Sequence, residues 1–181
     1  MKGLIVFSND MEDVEALATR ALLIRTGYHM DSITFQSSKD IITAFGLHIK
    51  ADYLKDEINH HNYDFLVIPG GKYVAYNVDK DQMIKSLAKT FNSENKVVCA
   101  ICAGPRFLGQ AELLNNVKFT AFTGSEIDAP LGKYLPKSKV IVDQKIITAR
   151  GAGAVYEFVY EIVTYFSGKN HADQLLEQIL Y

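Results

Sequence analysis

Cys102 is the residue whose sequence context most clearly indicates a chemical role. It follows an apolar strand predicted over 96–101 and precedes Ala103, Gly104 and Pro105, where a helix is predicted to begin. Proline suits the first turn of a helix because its missing N–H is not needed there. A strand that turns into a helix within about two residues forces the corner residue into an unfavourable backbone conformation and exposes its side chain above the sheet. The pattern therefore predicts a nucleophile elbow that carries a reactive thiol.

The helix after Cys102 is expected to activate its sulfur. Free N–H groups and the positive end of the helix dipole favour thiolate over thiol, so we expect a lowered pKa for Cys102. Cys99 lies inside the strand and is expected to be a buried, inert side chain. The two cysteines also form a C-x-x-C, but three extended residues separate their Cα atoms by about 10 Å, beyond the roughly 7 Å limit for a disulfide. No further ligand pair at zinc spacing accompanies them, so neither a redox dithiol nor a metal site is predicted.

Glu15 is the acidic side chain best placed to assist the thiol. It lies one turn into a helix predicted over 12–26, next to the apolar residues Val14, Ala16 and Leu17. A carboxyl held among apolar groups has a raised pKa and, while protonated, can donate a hydrogen bond to a thiolate. The commoner role of such a residue is to complement the helix dipole on a solvated face.

Two glycine-containing segments follow other predicted strands. Gly70 and Gly71 end a strand predicted over 63–69 and could present backbone N–H groups as an oxyanion hole, although a tight turn also requires glycine there. Residues 150–153, Arg-Gly-Ala-Gly, resemble a weak phosphate loop, but they fail G-x-G-x-x-G and no P-loop lysine accompanies them. None of the five histidines lies beside Cys102 in the sequence, so a surface or capping role is expected for each.

The elements that must position these residues alternate between strand and helix. Apolar runs predict strands near residues 3–8, 29–35, 63–69, 96–101, 117–122, 139–143 and 145–149, with a less regular β segment, such as an edge hairpin, over 41–51. Helical patterns lie near residues 12–26, 80–92, 105–113, 151–166 and 172–180. This alternation predicts one α/β domain over 1–181, with a mainly parallel sheet and helices on both faces. In such sheets ligands bind beyond the carboxyl ends of the strands, where Cys102 is expected.

Composition and charge limit the classes of function. Of the 181 residues, 48% are hydrophobic and 22% charged, as in soluble globular proteins. A formal net charge of −2 with dispersed lysines provides no basic surface for nucleic acid. No apolar run approaches the roughly 18–20 residues that span a bilayer, and the N-terminus lacks a signal-peptide pattern. Two cysteines make no disulfide framework, so a reducing, cytoplasmic location is expected.

Together these motifs resemble the DJ-1/PfpI superfamily, and its DJ-1/YajL/ThiJ branch in particular. The resemblance covers nearly the whole chain in one colinear order. It rests on the acidic helix with Glu15, VIPGG over 67–71, AICAGP over 100–105 and ITARGAG over 147–153. It implies a flavodoxin-like three-layer sandwich and a homodimer whose active sites lie near the interface.

The resemblance also implies a role for each matching residue. Cys102 matches the reactive, oxidisable cysteine, and Glu15 matches the protonated glutamate that contacts its sulfur. Gly71 and Ala103, with Gly70 beside them, match the backbone that forms an anion or oxyanion pocket. The remaining pocket lining is expected to include Phe122, Arg150 and Gly151.

The function implied is chemistry on small reactive aldehydes. The family suggests cofactor-free glyoxalase III-type conversion of methylglyoxal to lactate, a deglycase activity on glycated adducts, and oxidative-stress sensing through cysteine sulfinic acid. The first hypothesis is therefore a cysteine-dependent enzyme that acts on a small aldehyde or a glycated adduct. The alternatives are a redox sensor with little catalysis and a dimeric family member with neither activity.

The chain departs from the family pattern at four positions. Peptidase-like relatives carry histidine directly after the cysteine, where this chain has Ala103, so proteolysis is not expected. Phe122 stands near the place from which related sequences supply a histidine to the cysteine, which leaves Glu15 to move protons alone. Asp10 stands where many relatives have glycine, and Ala152 where the human-like pattern has proline. These changes bear on substrate and rate more than on the fold.

Overall fold

The apolar runs form the strands of a central sheet, and the computed structural model describes residues 1–181. The strands are β1 Lys2–Val6, β2 His29–Thr34, β3 Asp40–Ile42, β4 His48–Lys50, β5 Tyr53–Leu54, β6 Phe65–Ile68, β7 Val97–Ile101, β8 Lys118–Phe119, β9 Lys133–Tyr134, β10 Val140–Asp143 and β11 Ile146–Ala149. The α-helices are α1 Thr19–Arg25, α2 Lys72–Asn77, α3 Gln82–Ser93, α4 Pro105–Gln110, α5 Val155–Ser167 and α6 Lys169–Gln178. A π-helical turn, Val14–Ala18, runs directly into α1.

The main sheet has seven strands in the order β10-β11-β7-β6-β1-β2-β5. Every neighbouring pair is parallel except β10 and β11, which are antiparallel. The carboxyl ends of β1, β6 and β7 therefore meet at one edge of the sheet. Two small two-stranded sheets, β3–β4 and β8–β9, lie outside it.

Strand residues alternate between two apolar cores, one on each face of the sheet. In β1, Leu4 and Val6 belong to the core that contains side chains of α3 and α4. Ile5 points the other way, into the core that contains side chains of α1, α5 and α6. Because both faces are covered, the central strands are apolar throughout rather than alternating. The predicted three-layer α/β sandwich with a mainly parallel sheet is confirmed.

Two strand predictions differ from the structure. The strand predicted over 117–122 is only Lys118–Phe119, because the N–H of Thr120 donates to the side chain of Thr148 (3.0 Å) rather than to a strand partner. Residues 40–50 do form a hairpin, but β3 and β4 pair only with each other. The strand that ends the main sheet next to β2 is instead β5, whose two residues are too few for a sequence pattern to reveal.

No helix in the structure combines the length and the apolar character needed to cross a membrane.

Candidate active site

Cys102 occupies a strained corner between β7 and α4, as the sequence predicts. Its φ is 61°, in the left-handed region that non-glycine residues rarely adopt. Pro105 is the first residue of α4. Gly104 is required by a close approach of backbone, because a Cβ there would lie 2.4 Å from the carbonyl oxygen of Ile68 and 2.9 Å from that of Ile101. The turn thus holds the sulfur at the carboxyl end of the sheet.

Glu15 lies in the π-helical turn and is directed into the protein beside this corner. It is only 1% exposed. Its carboxyl accepts hydrogen bonds from the N–H of Gly70 (3.0 Å) and the N–H of Ala152, and it is in hydrogen-bonding contact with the Cys102 thiol. Its own N–H donates to the carboxylate of Glu12 (2.7 Å). The buried carboxyl expected from the apolar neighbours of Glu15 is therefore present.

Burial raises the pKa of Glu15 to about 7. The nearby charge of Glu12 acts in the same direction, whereas the thiol contact and the two N–H donors oppose it. A carboxyl of this kind exchanges its proton close to neutral pH, which suits a group that must both accept and donate protons.

The prediction of a lowered pKa for Cys102 is wrong in direction. Burial raises the pKa of the Cys102 thiol, and the negative charge of Glu15 raises it further, while the N–H of Ala103 only partly opposes them. A helix N-terminus alone would lower this pKa, but the burial of the thiol and the carboxyl opposite the sulfur outweigh it. Glu15 and Cys102 are instead a coupled pair, which loses its first proton near neutral pH and keeps the second to much higher pH.

Gly70 supports the carboxyl rather than an open anion pocket, because its N–H already donates to Glu15. A Cβ at Gly70 would lie 2.7 Å from a carboxylate oxygen of Glu15 and 2.8 Å from the Cβ of Cys102, so glycine is what allows the pair to meet. Gly71 has a φ of 114°, which glycine adopts at low cost, and its N–H makes no hydrogen bond within the protein. The N–H of Ala103 is directed at the Cys102 sulfur. Ala103 therefore supplies a backbone N–H at the sulfur, and the role of Gly71 as an oxyanion donor stays a prediction.

A cavity of about 540 Å³ opens over Cys102 and Glu15. Phe122, Arg150 and Gly151 all line it, as expected from the sequence. Phe122 is 57% exposed, and its N–H donates to the carbonyl oxygen of Cys102 (2.8 Å), which ties this part of the wall to the elbow. The cavity therefore presents one thiol, one titrating carboxyl, an aromatic ring and a guanidinium to the same space.

Two residues beside Glu15 have roles that the sequence did not predict. Glu12 also lines the cavity and receives the N–H of Glu15; the three-residue spacing on a helix was the available signal. Ala152 was noted only as a departure from a proline pattern, yet its N–H is one of the donors to the Glu15 carboxyl. Proline could not supply that donor.

The remaining sequence candidates lie as follows. Asp10 has a φ of 57°, so it keeps the left-handed conformation that glycine would adopt there, which aspartate tolerates better than most residues. Cys99 is fully buried in β7, and neither cysteine is in a disulfide. None of the five histidines lines the cavity, so Glu15 is the group nearest the sulfur that titrates near neutral pH.

Comparisons with known proteins define the class to which this fold and site belong. The model of the DJ-1/PfpI family matches residues 1–165, and the chain belongs to this family. It is 31% identical over 165 residues to deglycase PfpI of Pyrococcus furiosus, covering 90% of this chain and 98% of that protein. It is 28% identical over 171 residues to glutathione-independent glyoxalase DJR-1.2 of Caenorhabditis elegans, covering 94% of this chain and 90% of the relative.

The solved structure of oxidized Toxoplasma gondii DJ-1 has the same fold. It superimposes with a TM-score of 0.90 at 26% identity, over 99% of this chain and 98% of that chain. Some relatives are longer: the chain spans 40% of the length of Protein DJ-1 homolog B of Arabidopsis thaliana, to which it is 30% identical over 182 residues.

Proposed function

We propose that this chain is a cysteine-dependent enzyme that acts on small reactive carbonyl compounds, with Cys102 as nucleophile and Glu15 as the proton-transferring group. The observation that carries the proposal is the contact between the Cys102 thiol and a carboxyl with a pKa of about 7, inside one cavity. The names of relatives, a deglycase and a glutathione-independent glyoxalase, support the same substrate class.

The first step is addition of sulfur to the aldehyde carbon of a 2-oxoaldehyde such as methylglyoxal. The singly protonated Glu15–Cys102 pair supplies both the nucleophile and one proton. As the C–S bond forms, the electron pair of the C=O bond moves to oxygen, which takes that proton and leaves Glu15 as a carboxylate. The N–H groups of Gly71 and Ala103 stabilise the developing oxyanion. The product is a hemithioacetal on Cys102.

The second stage converts this hemithioacetal into a thioester without a net change in atoms. Glu15 removes the proton from the carbon bonded to sulfur, giving an enediolate, and returns that proton to the neighbouring carbon. The hydroxyl proton on the first carbon passes to the former ketone oxygen, so the first oxygen becomes the thioester carbonyl and the second becomes a hydroxyl. Water then attacks the thioester, the C–S bond breaks, and lactic acid leaves while Cys102 regains its thiol. The sum is methylglyoxal plus water to lactic acid, and no cofactor enters the balance.

The dimensions of the cavity also accommodate larger substrates. A three-carbon aldehyde occupies only a small part of about 540 Å³. Glycated adducts are therefore reasonable substrates for the same thiol, with Phe122 and Arg150 offering an aromatic and a cationic contact.

The proposal is tested with purified protein and methylglyoxal, following lactate by NMR. Cys102→Ser is expected to abolish lactate formation, whereas Cys99→Ala, which removes the other thiol, is expected to retain it. Glu15→Gln is expected to lower the rate by about 10²- to 10⁴-fold, the usual contribution of general acid–base catalysis. Unchanged turnover in the Cys102→Ser variant would rule the proposal out.

A second candidate function is redox sensing at the same sulfur. Cys102 is partly exposed, and a protonated Glu15 together with the N–H of Ala103 could hold the oxygens of a sulfinate. Two equivalents of peroxide would supply the two oxygens and be reduced to water. Mild peroxide treatment would then add about 32 Da at Cys102. That modification with negligible methylglyoxal turnover favours the sensor over the enzyme.

We further propose that the chain acts as a single domain and assembles as a homodimer. The support is an exposed apolar face where the π-helical turn meets the β3–β4 hairpin. Phe45 is 77% exposed and Val14 is 49% exposed. Asp13 connects the two segments through the Thr43 hydroxyl (2.6 Å). Phe45→Glu is expected to shift the mass measured by light scattering from dimer to monomer, and a monomeric parent protein would contradict the assembly.

A further inference from the structure

A second cluster of chemically capable side chains lies at the edge of the sheet opposite Cys102. His60 and His61 belong to a 3₁₀ segment, His60–Asn62, just before β6, and Glu94 follows α3 just before β7. β6 and β7 are adjacent and parallel, with Phe65 paired to Val97. The segments that enter two such strands meet at one edge, so the topology brings these residues together.

The three side chains offer ligand atoms to one point. One nitrogen from each histidine and one carboxylate oxygen of Glu94 all lie within 4.8 Å of one another. The imidazole rings are 4.3 Å apart between centroids. His61 Nδ1 contacts one oxygen of Glu94 directly.

Lys96 contacts two members of this cluster. Its ammonium lies 2.7 Å from the other oxygen of Glu94 and donates to the carbonyl oxygen of His61 (2.8 Å). One oxygen of Glu94 is thus occupied by the lysine, and the other is directed at the imidazoles.

We propose that His60, His61 and Glu94 form a binding site for a divalent transition-metal ion, of which Zn²⁺ is the probe. Two imidazoles and one carboxylate are a donor set that Zn²⁺ accepts, with a water in the fourth position. Mg²⁺ and Ca²⁺ prefer oxygen ligands, so a site with two imidazoles is expected to bind them weakly. Bonds of about 2.0–2.2 Å would place the ligand atoms about 3.3–3.5 Å apart. Because these atoms already lie within 4.8 Å of one another, side-chain rotations that move them by roughly an ångström would form the site.

The consequence of binding would be structural rather than catalytic. The ion would join the segments that enter β6 and β7 and stabilise the native state by mass action. Strands of four or five residues, at about 3.3 Å per residue, separate the cluster from the Cys102 edge by about 15 Å. This site is therefore independent of the proposed chemistry at Cys102.

Lys96 is expected to weaken metal binding. Its ammonium lies close to where the ion would sit, and the two cations compete for the same carboxylate. Lys96→Met removes the positive charge and keeps all three ligands, so we expect it to bind Zn²⁺ more tightly than the parent.

The test is calorimetric titration of Zn²⁺ into chelator-treated full-length protein carrying Cys99→Ala and Cys102→Ser, so that thiols do not contribute. One saturable ion per chain is expected. His60→Ala, His61→Ala and Glu94→Gln are each expected to weaken binding by at least about tenfold, the effect of losing one of three ligands. His48→Ala, at an exposed histidine on the β3–β4 hairpin, is the matched control and is expected to leave affinity unchanged.

Thermal unfolding provides a second measurement that does not depend on calorimetric heats. Zn²⁺ is expected to raise Tm in the parent and in His48→Ala but not in His61→Ala, and Mg²⁺ is expected to raise it in none. Absence of saturable Zn²⁺ binding, or equal binding in His61→Ala and the parent, would overturn the site and show that the cluster is only an ion-pair network.

Discussion

The Glu15 carboxyl contacts the Cys102 thiol across the carboxyl edge of the sheet, although the two residues are far apart in the sequence. Gly70 makes the contact possible, because any side chain there would collide with both partners. The contact couples the ionisation of the two groups, and it explains why the pKa of Cys102 is raised when the helix N-terminus alone would lower it.

Glu15→Gln is expected to stabilise the protein at pH 8. The pKa of Glu15 is raised from 4.5 to about 7 by burial, so the folded state holds this proton more tightly than the unfolded chain. The free energy of unfolding therefore decreases as the pH rises from about 4.5 through about 7, and this contribution is complete only below about 4.5. Glutamine carries no charge, so the Glu15→Gln variant does not lose this part of the free energy of unfolding. The difference corresponds to about 2–4 kcal/mol at pH 8.

Urea denaturation at pH 4.5 and pH 8 measures this difference. The free energy of unfolding of Glu15→Gln, relative to that of the parent, is expected to be larger at pH 8 than at pH 4.5. Glu177→Gln, at an exposed carboxyl on α6, is expected to follow the parent at both. Equal pH dependence in Glu15→Gln and the parent would contradict a raised pKa for Glu15.

Gly104→Ala is expected to destabilise the elbow. The new Cβ would meet the carbonyl oxygens of Ile68 and Ile101, which are backbone atoms and cannot rotate away. Overpacking of this kind costs about 1–3 kcal/mol. Gly153→Ala is the control, since its Cβ would meet no atom within 4 Å. Equal Tm values for the two variants would show that the close approach does not constrain the turn.

Much of the fold could be predicted from the sequence because buried parallel strands leave long apolar runs. The elbow could be predicted as well, because Gly104 allows a close approach of backbone and Pro105 suits the first turn of a helix. Local patterns gave no information on β5, which has two residues, or on the shortening of β8, which depends on a side chain of β11.

The chemistry of the site was less predictable because it depends on contacts across the fold. The pKa of Cys102 is governed by burial and by Glu15, neither of which a strand-to-helix motif reports. Gly70 was expected to face an anion, but its N–H is used by Glu15. Ligand spacing along the chain did not predict the proposed metal site for the same reason, because Glu94 lies in a different loop from the two histidines.

Ala152→Pro is expected to raise the pKa of Glu15 above about 7. Proline fits the first position of the 3₁₀ turn Ala152–Ala154, but it removes the N–H that stabilises the ionised carboxyl. The decrease in the free energy of unfolding with rising pH should therefore continue to higher pH than in the parent. Ala152→Ser keeps the N–H and serves as the control. If both variants show the same pH dependence of the free energy of unfolding, this N–H does not tune the pKa of Glu15.

The most direct measurement is the rate of iodoacetamide reaction at Cys102 as a function of pH, followed by mass spectrometry in the parent and in Glu15→Gln. In the parent, Cys102 is expected to react only well above neutral pH, because burial and the negative charge of Glu15 raise the pKa of its thiol. In Glu15→Gln the midpoint is expected to move to lower pH, because that charge is gone while the burial remains. Superimposable profiles for the two proteins would contradict the claim that Glu15 and Cys102 act as one proton-sharing pair.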